Sequence, residues 1–358
     1  MASVYFTPGP AQLYPTVERH LQQALNSQVL SQSHRSQGFK DLYKRADAAL
    51  KELFNLHAGY EIYFTGSATE IWERSLQNLT ARHSFHLVNG SFSGKYLEHA
   101  QWLGREADAH QVPFGEGFDM AQVHVPMQAE LIGIAQNETS SGVCTPVTDI
   151  HALKARYPTS LLSVDMVSGA PYAQLDFNLV DTAFFSVQKG FGLPAGLGVW
   201  LVNERCLAKA ASLQGQQYTG GHYSMAMLHE FYQQFQTPCT PNVLAIYLLT
   251  HVVEDMLVKG LDTIRKETEA KADMVYGFLE ESELFSPFVQ EPAHRSPTVL
   301  VAEVHGKPAS SVISKLKEQG LVLGSGYGKY KDQHIRIANF PAVSEAEMER
   351  LIKALKLL

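Results

Sequence analysis

Six short apolar runs recur through the first two thirds of this chain: Ile62-Tyr63-Phe64, Phe85-His86-Leu87-Val88, Leu131-Ile132-Gly133-Ile134-Ala135, Leu161-Leu162-Ser163-Val164, Ala183-Phe184-Phe185 and Val199-Trp200-Leu201-Val202. Each is about the length of a strand, and most are continuous rather than alternating. A strand that is apolar on both sides must be covered on both sides. Helical or loop stretches separate most of the runs. Between residues 38 and 54, for example, Phe39, Leu42, Ala46, Ala49, Leu50 and Leu53 fall at helical spacing. Strands alternating with helices predict an α/β architecture around a largely parallel sheet. Ligands of such folds bind at the carboxyl edge of the sheet.

The texture changes after Pro241. Residues 243 to 281 read as long helices, with Val252, Val253, Met256, Leu257, Leu261 and Ile264 at helical spacing. Strand candidates follow at Thr298-Val299-Leu300-Val301 and Ile335-Arg336-Ile337-Ala338. Ser344-Glu345-Ala346-Glu347 has the form of a capping box and opens a last helix. A smaller α+β domain at the C-terminus is expected. The boundaries expected are 17–249 for the large domain and 250–358, with 1–16, for the small one. The length of 358 residues suits two domains, and 45% hydrophobic against 18% charged residues suits large cores.

A net charge of -7 argues against nucleic acid as the main partner, since there is no basic excess to neutralise phosphates. Cys144, Cys206 and Cys239 are far apart and form no CxxC pair, which fits a reducing cytoplasm. The first residues lack the basic-then-apolar pattern of a signal peptide. No segment approaches the roughly 18 apolar residues of a membrane span, so no membrane association is expected.

Lys189 follows the apolar run Ala183-Phe184-Phe185 and feeds the glycine-rich loop Gly190-Phe191-Gly192-Leu193-Pro194-Ala195-Gly196. Burial there disfavours its ammonium and turns the amine into a nucleophile able to form a Schiff base, for which pyridoxal phosphate is the commonest partner. The alternative is a lysine that snorkels from a strand end to solvent. Asp165 ends the run Leu161 to Val164, where it would share the sheet's carboxyl edge with Lys189 and hold a pyridine nitrogen protonated, or stand solvated at a strand end. Gly66-Ser67-Ala68-Thr69 lies between a strand and a helix, the arrangement of a phosphate cradle as well as of an ordinary N-cap. Phe92 follows the run Phe85 to Val88 and suits stacking on a flat ring, or packing in the core. Asn137-Glu138-Thr139 ends the run Leu131 to Ala135 and either reaches a cofactor hydroxyl or forms a turn. Arg336 interrupts an apolar strand; a substrate carboxylate would satisfy it, as would an internal salt bridge.

Two motifs point elsewhere and are set aside. Gly90-Ser91-Phe92-Ser93-Gly94-Lys95-Tyr96 is one residue short of a nucleotide P-loop and lacks the Ser or Thr after lysine. His83 and His86 have no third ligand nearby in sequence, and no metal is expected.

These residues together resemble a class V aminotransferase of fold type I, in particular the phosphoserine aminotransferases. The resemblance spans nearly the whole chain and implies a large domain on a mostly parallel sheet of about seven strands, with a smaller α+β C-terminal domain. It runs through Phe6-Thr7-Pro8-Gly9-Pro10, Ser33-His34-Arg35-Ser36, Asn137-Glu138-Thr139, Asp165 with Ser168, Ser186-Val187-Gln188-Lys189, Gly192-Leu193-Pro194-Ala195-Gly196 and Thr237-Pro238. It implies that Lys189 carries pyridoxal phosphate covalently and shuttles the proton, and that Asp165 pairs with the pyridine nitrogen. Phe92 would stack on the ring and Thr139 would bond the ring hydroxyl, with Ser168 also among the cofactor-binding residues. The phosphate would rest on Ala68 and Thr69, Gln188, and Gln236 with Thr237 of a neighbouring subunit. Arg336 would take the substrate carboxylate, and His34 and Arg35 the distal anion. A homodimer with shared active sites is implied.

The chain departs from the phosphoserine pattern at two places. Thr69 stands where those enzymes carry an arginine. Gly324-Ser325-Gly326-Tyr327-Gly328-Lys329-Tyr330-Lys331 replaces a His-Arg pair, with Lys329 or Lys331 as substitute point charges. The expected activity is transamination between phosphoserine and 2-oxoglutarate, as in serine biosynthesis. The alternatives are a class V transaminase for alanine or serine with glyoxylate or pyruvate, and a binding module that keeps the fold without turnover. A cysteine desulfurase is disfavoured because no cysteine lies between Gly324 and Lys331.

Overall fold

A computed structural model of the chain describes residues 3–222 and 224–358. In chain order the elements are β1 (Val4–Phe6), α1 (Val17–Asn26), α2 (Gln37–Phe54), β2 (Glu61–Thr65), α3 (Ala68–Leu79), β3 (His83–Val88), α4 (Ser91–Trp102) and β4 (Glu106–Gln111). Next come β5 (Leu131–Ala135), β6 (Asn137–Glu138), β7 (Val143–Cys144), α5 (Val147–Arg156), β8 (Leu161–Asp165), β9 (Thr182–Ser186), β10 (Gly198–Val202), α6 (Glu204–Leu213), α7 (Met225–Tyr232) and α8 (Val243–Lys259). The C-terminal part holds α9 (Leu261–Glu281), β11 (Phe285–Pro287), β12 (Val299–Val304), α10 (Ala309–Glu318), β13 (Leu321–Ser325), β14 (His334–Ala338) and α11 (Glu345–Leu355).

The large sheet has seven strands in the order β2-β10-β9-β8-β5-β3-β4. All are parallel except β10, which runs antiparallel to both β2 and β9. The six apolar runs are six of these strands, and every residue of all six is buried. The seventh, β4, reads Glu-Ala-Asp-Ala-His-Gln and is only half-buried at best. It lies at the sheet's edge, where polar side chains protect the open hydrogen-bonding row.

A second sheet of five strands, β1-β13-β14-β12-β11, is built from the C-terminal part and from β1 at the other end of the chain. β1 pairs parallel with β13, Phe6 opposite Leu323. Each sheet has its own apolar core: one runs from Tyr14 to Ile264 with Ala342, the other joins Val4 and Phe6 to residues between Ala272 and Leu355. The helical stretch after Pro241 is two helices, broken at Gly260, whose φ of +85° is a conformation side-chain-bearing residues rarely adopt. The capping box forms: Ser344 Oγ accepts from the Glu347 amide and Glu347 Oε2 accepts from the Ser344 amide at 2.8 Å.

Candidate active site

The parallel strands β2, β3, β5, β8 and β9 point the same way, so the residues that follow them collect at one edge. There they enclose a cavity of about 460 Å³, closed on one side by Thr7-Pro8-Gly9-Pro10 and by β13 and β14. Lys189 lies in it, three residues past β9 and 7% exposed. Its Nζ donates to Thr139 Oγ1 at 2.9 Å and to Ser168 Oγ at 3.0 Å. Both partners are neutral hydroxyls, so burial pushes the lysine pKa down; the Asp165 charge opposes this and Arg336 adds to it. Gly9 packs on the lysine arm, and a Cβ there would come within 3.2 Å of Lys189 Cε.

Asp165 ends β8 and is 6% exposed. Its Oδ2 accepts the Trp72 indole N–H at 3.0 Å, and its Oδ1 accepts the Val167 amide at 2.9 Å. Burial raises the pKa of this carboxyl, while the two donors and then Lys189 pull it back. Trp72 comes from α3, lines the same cavity and stacks on Tyr96 with ring centroids 6.1 Å apart. Tyr96 in turn is hydrogen-bonded to Ser75 and Ser163. The carboxylate is therefore held in one orientation by a chain of packed, satisfied groups.

Phe92 stands in the first turn of α4, its ring centroid 5.5 Å from Lys189 Nζ. Glu138, fully buried, sets the position of that turn. Its carboxylate accepts the Phe92 and Ser93 amides, the Ser140 amide, and the hydroxyls of Ser93 and Ser140. Gly90 is required by this contact, since a Cβ would meet Glu138 Cγ at 2.3 Å. The P-loop-like motif thus has its helix N-terminus filled by the chain's own carboxylate and offers no phosphate site.

At the start of α3, Gly66 N donates to Glu70 Oε2 and Glu70 N to Ser67 Oγ. The Ala68 amide donates to Ser186 Oγ at 2.8 Å. Thr69 and the half-buried Gln188 line the cavity. Asn137 is 4% exposed and lines it too, with neither side-chain Nδ2 nor Oδ1 hydrogen-bonded.

Arg336 projects from β14, opposite Gly324 of β13. Its Nε donates to Ser325 O at 2.7 Å and Nη1 to Thr139 O at 3.2 Å. Burial lowers its pKa, and no carboxylate among the described residues forms an ion pair with it.

Six of the expected residues, His34, Arg35, Gln236, Thr237, Lys329 and Lys331, lie apart from this cavity within the chain. Arg35 Nη1 donates to Gln236 Oε1 at 2.7 Å and to Thr237 O at 2.8 Å, and its guanidinium stacks on Phe231. His34 precedes it. Lys329 and Lys331 are exposed and do not line the cavity. Trp72 and Gly90 have no site role in the sequence reading, and Asn137 and Glu138 have one only as members of Asn137-Glu138-Thr139. Asn137 and Glu138 were visible as polar residues after a buried run; Trp72 looked like one more apolar residue of a helix.

This arrangement suits pyridoxal phosphate. A buried amine and a buried carboxylate face one cavity beside an aromatic ring. An arginine free of carboxylates stands across from them, and Asn137 offers two unused polar atoms. The profile described as Aminotransferase class-V matches residues 4–330, and the chain belongs to that family. It is a transaminase of fold type I that uses pyridoxal phosphate. It is 44% identical to a phosphoserine aminotransferase of Cytophaga hutchinsonii, with a TM-score of 0.97 covering 99% of this chain and 98% of that one. It is 30% identical over 354 residues to a phosphoserine aminotransferase of Rhodococcus opacus, covering 98% of this chain and 93% of the relative. An alanine–glyoxylate aminotransferase of a Nostoc species shares the fold alone, at 20% identity and a TM-score of 0.86. Among the described residues no helix is long and apolar enough to cross a membrane.

Proposed function

We propose that this chain transfers an amino group between phosphoserine and 2-oxoglutarate, giving 3-phosphohydroxypyruvate and glutamate, in either direction. The observation that carries the reading is Lys189, buried against hydroxyls, sharing one cavity with Asp165 and an Arg336 that has no carboxylate partner among the described residues. The 44% identity to a phosphoserine aminotransferase supports the choice of substrate.

When bound, pyridoxal phosphate supplies a covalent anchor for the amine and a ring that withdraws electrons. The residues do the rest. Lys189 Nζ, whose ammonium is destabilised by burial, is the amine that carries the cofactor and moves the proton from the substrate Cα. Asp165, fixed by Trp72, is the carboxylate that would pair with the ring nitrogen and keep it protonated. Phe92 would pack on the ring face; Thr139 and Ser168, already bonded to Lys189 Nζ, would supply hydroxyls to the ring oxygen. Ala68, Thr69 and Gln188 are the phosphate end, completed by Gln236 and Thr237 of a second copy. Arg336 orients the substrate through its α-carboxylate, and His34 and Arg35 approach from the second copy. The protein would then work as a cytoplasmic homodimer of two-unit subunits; the two separate cores favour two units, and the first core, running from Tyr14 to Ile264, moves the boundaries expected at 16/17 and 249/250 to before Tyr14 and into α9.

The test is a comparison of half-reactions with phosphoserine, serine, alanine and glutamate. Phosphoserine and glutamate should react best. If phosphoserine reacts no faster than alanine, the substrate assignment fails and a small-amino-acid transaminase replaces it.

A further inference from the structure

The parts of the chain around the two sheets also touch outside the cavity. The segment after β4 belongs to the first core at both ends, through Val112 and Phe118. Between them Phe114 stacks on Tyr330 of the β13–β14 connection, ring centroids 4.7 Å apart and planes 18° from parallel. Tyr330 stacks in turn on His334 of β14, again at 4.7 Å, and the Phe288 ring lies 4.1 Å from His334. Two glycines let the segment come this close. A Cβ on Gly115 would meet Phe288 Cε1 at 2.6 Å, and one on Gly117 would run into the His294 ring. Phe114, Phe288, Tyr330 and His334 do not line the cavity.

The β13–β14 connection is the stretch that departs from the phosphoserine pattern, and it bears on Arg336 from both ends. Ser325, the last residue of β13, supplies the carbonyl that accepts Arg336 Nε at 2.7 Å. His334, the first residue of β14, stands two residues before Arg336, so the two side chains leave the same face of the strand. Ile335 and Ile337, on the other face, enter the second core. The loop between is tied to itself: Gly326 N donates to His334 O at 2.7 Å, and Gln333 N to Tyr330 O at 3.0 Å. A Cβ on Gly326 would collide with the Tyr330 carbonyl. A loop closed in this way shifts as one piece, so the docking of Tyr330 bears on where Ser325 and His334 stand. Lys329 and Lys331 flank Tyr330 and are exposed, whereas the Tyr330 ring is half-buried. Stacking that one ring holds an otherwise polar loop against the segment after β4.

We propose that Phe114 and Tyr330 are positioning residues for substrate recognition: their stack clasps the β13–β14 connection to the segment after β4 and so fixes the Arg336 guanidinium where it meets an α-carboxylate. Neither ring touches the substrate. Arg336 bridges the two units, since Nε donates to Ser325 O beside the loop and Nη1 to Thr139 O beyond β6. Both bonds form only while those two carbonyls keep their spacing. Thr298 Oγ1, donating to Ser168 O at 2.7 Å, and Ser296 N, donating to Gly142 O at 3.0 Å, tie the units together just before β12. The clasp ties them at the β13–β14 connection, where Arg336 is held. This rests on Arg336 being the group that binds the α-carboxylate.

The experiment uses the holoenzyme and follows half-reactions with phosphoserine, glutamate and alanine by absorbance, for wild type, Phe114→Leu, Tyr330→Leu, the double variant, Tyr330→Phe and Arg336→Lys. A ring pair of this kind is worth roughly twofold to tenfold in an equilibrium constant. Each leucine variant is expected to raise KM for all three amino acids by about that factor, because all three carry the α-carboxylate. Turnover and retention of pyridoxal phosphate should change less. The double variant should be no worse than the poorer single one, since both remove the same contact. Tyr330→Phe keeps the ring and should recover most of the loss. Either leucine variant decides the matter alone if the other does not fold. Wild-type KM values in a folded leucine variant, losses that add in the double variant, or loss of pyridoxal phosphate at unchanged KM would overturn the proposal. An Arg336→Lys enzyme with the wild-type KM for alanine would instead overturn the reading of Arg336 on which the proposal rests.

Discussion

Replacing Glu138 by glutamine keeps the shape of the side chain and removes only its ability to accept on both oxygens. In the native chain Oε1 accepts the Ser140 amide at 3.0 Å and the Ser140 hydroxyl at 2.6 Å. Oε2 accepts the Ser93 amide at 2.8 Å and the Ser93 hydroxyl at 2.9 Å, and the Phe92 amide is shared between the two oxygens. The hydroxyls can turn to accept from a new NH2; the amides cannot. Whichever way the glutamine is placed, the Ser93 or the Ser140 N–H faces a donor. A buried donor left unsatisfied costs about 1–3 kcal/mol, and the bonds that survive drop from charge-assisted to neutral strength. The sum is about 2–5 kcal/mol. At an unfolding entropy of about 2.1 cal/mol/K per residue, the melting temperature of this 358-residue chain should fall by roughly 3–7 °C. The exposed Glu98 on the same helix is the control, since Glu98→Gln should cost less than about 0.5 kcal/mol. Because the first turn of α4 carries Phe92, Glu138→Gln should also weaken cofactor retention during dialysis. Melting within a degree of Glu98→Gln, with cofactor retained, would refute the claim that Glu138 anchors this turn.

Trp72→Phe removes one hydrogen bond to a charged acceptor, about 1.5–3 kcal/mol, and so lowers the acid dissociation constant of Asp165 by roughly tenfold to a hundredfold. Burial already raises that pKa in the folded chain, so Asp165 contributes stability at low pH that is lost as pH rises through its folded pKa. Urea unfolding of the cofactor-free variant should show this loss beginning at the same pH as in wild type and continuing about one to two units further; coincident pH profiles would contradict it. Lys271, buried with its Nζ donating to Val343 O at 2.6 Å, is pushed down by burial from 10.5 to about 8. Its contribution is therefore present above 10.5 and lost as pH falls to about 8, with a slope near 1.4 kcal/mol per pH unit. Lys271→Met should flatten that part of the stability profile, and an unaltered slope would show that other groups set it.

Much of the large sheet was legible because its strands are buried on both faces and so appear as unbroken apolar runs. β4 was not: its Glu106-Ala107-Asp108-Ala109-His110-Gln111 is coloured by its edge position, not by the strand state itself. The break between α8 and α9 was hidden for a different reason, because Gly260 interrupts a continuous helical pattern by one backbone angle. Among the site residues, Lys189, Asp165, Thr139 and Arg336 could be found as polar residues standing next to or within apolar runs. Trp72 could not, since an indole in an amphipathic helix reads as core until its N–H is seen on a carboxylate. Phe114 and Tyr330 stand far apart in sequence and become a pair only in the folded chain.

Every role assigned at this site depends on Lys189 being the amine that holds pyridoxal phosphate. The direct measurement is borohydride reduction of the holoenzyme, digestion and mass spectrometry of the peptides. The reduced cofactor should be found on the peptide containing Ser186-Val187-Gln188-Lys189, attached at Lys189, and Lys189→Ala should carry none and show no turnover. Label on another lysine, or turnover by Lys189→Ala, would contradict the account.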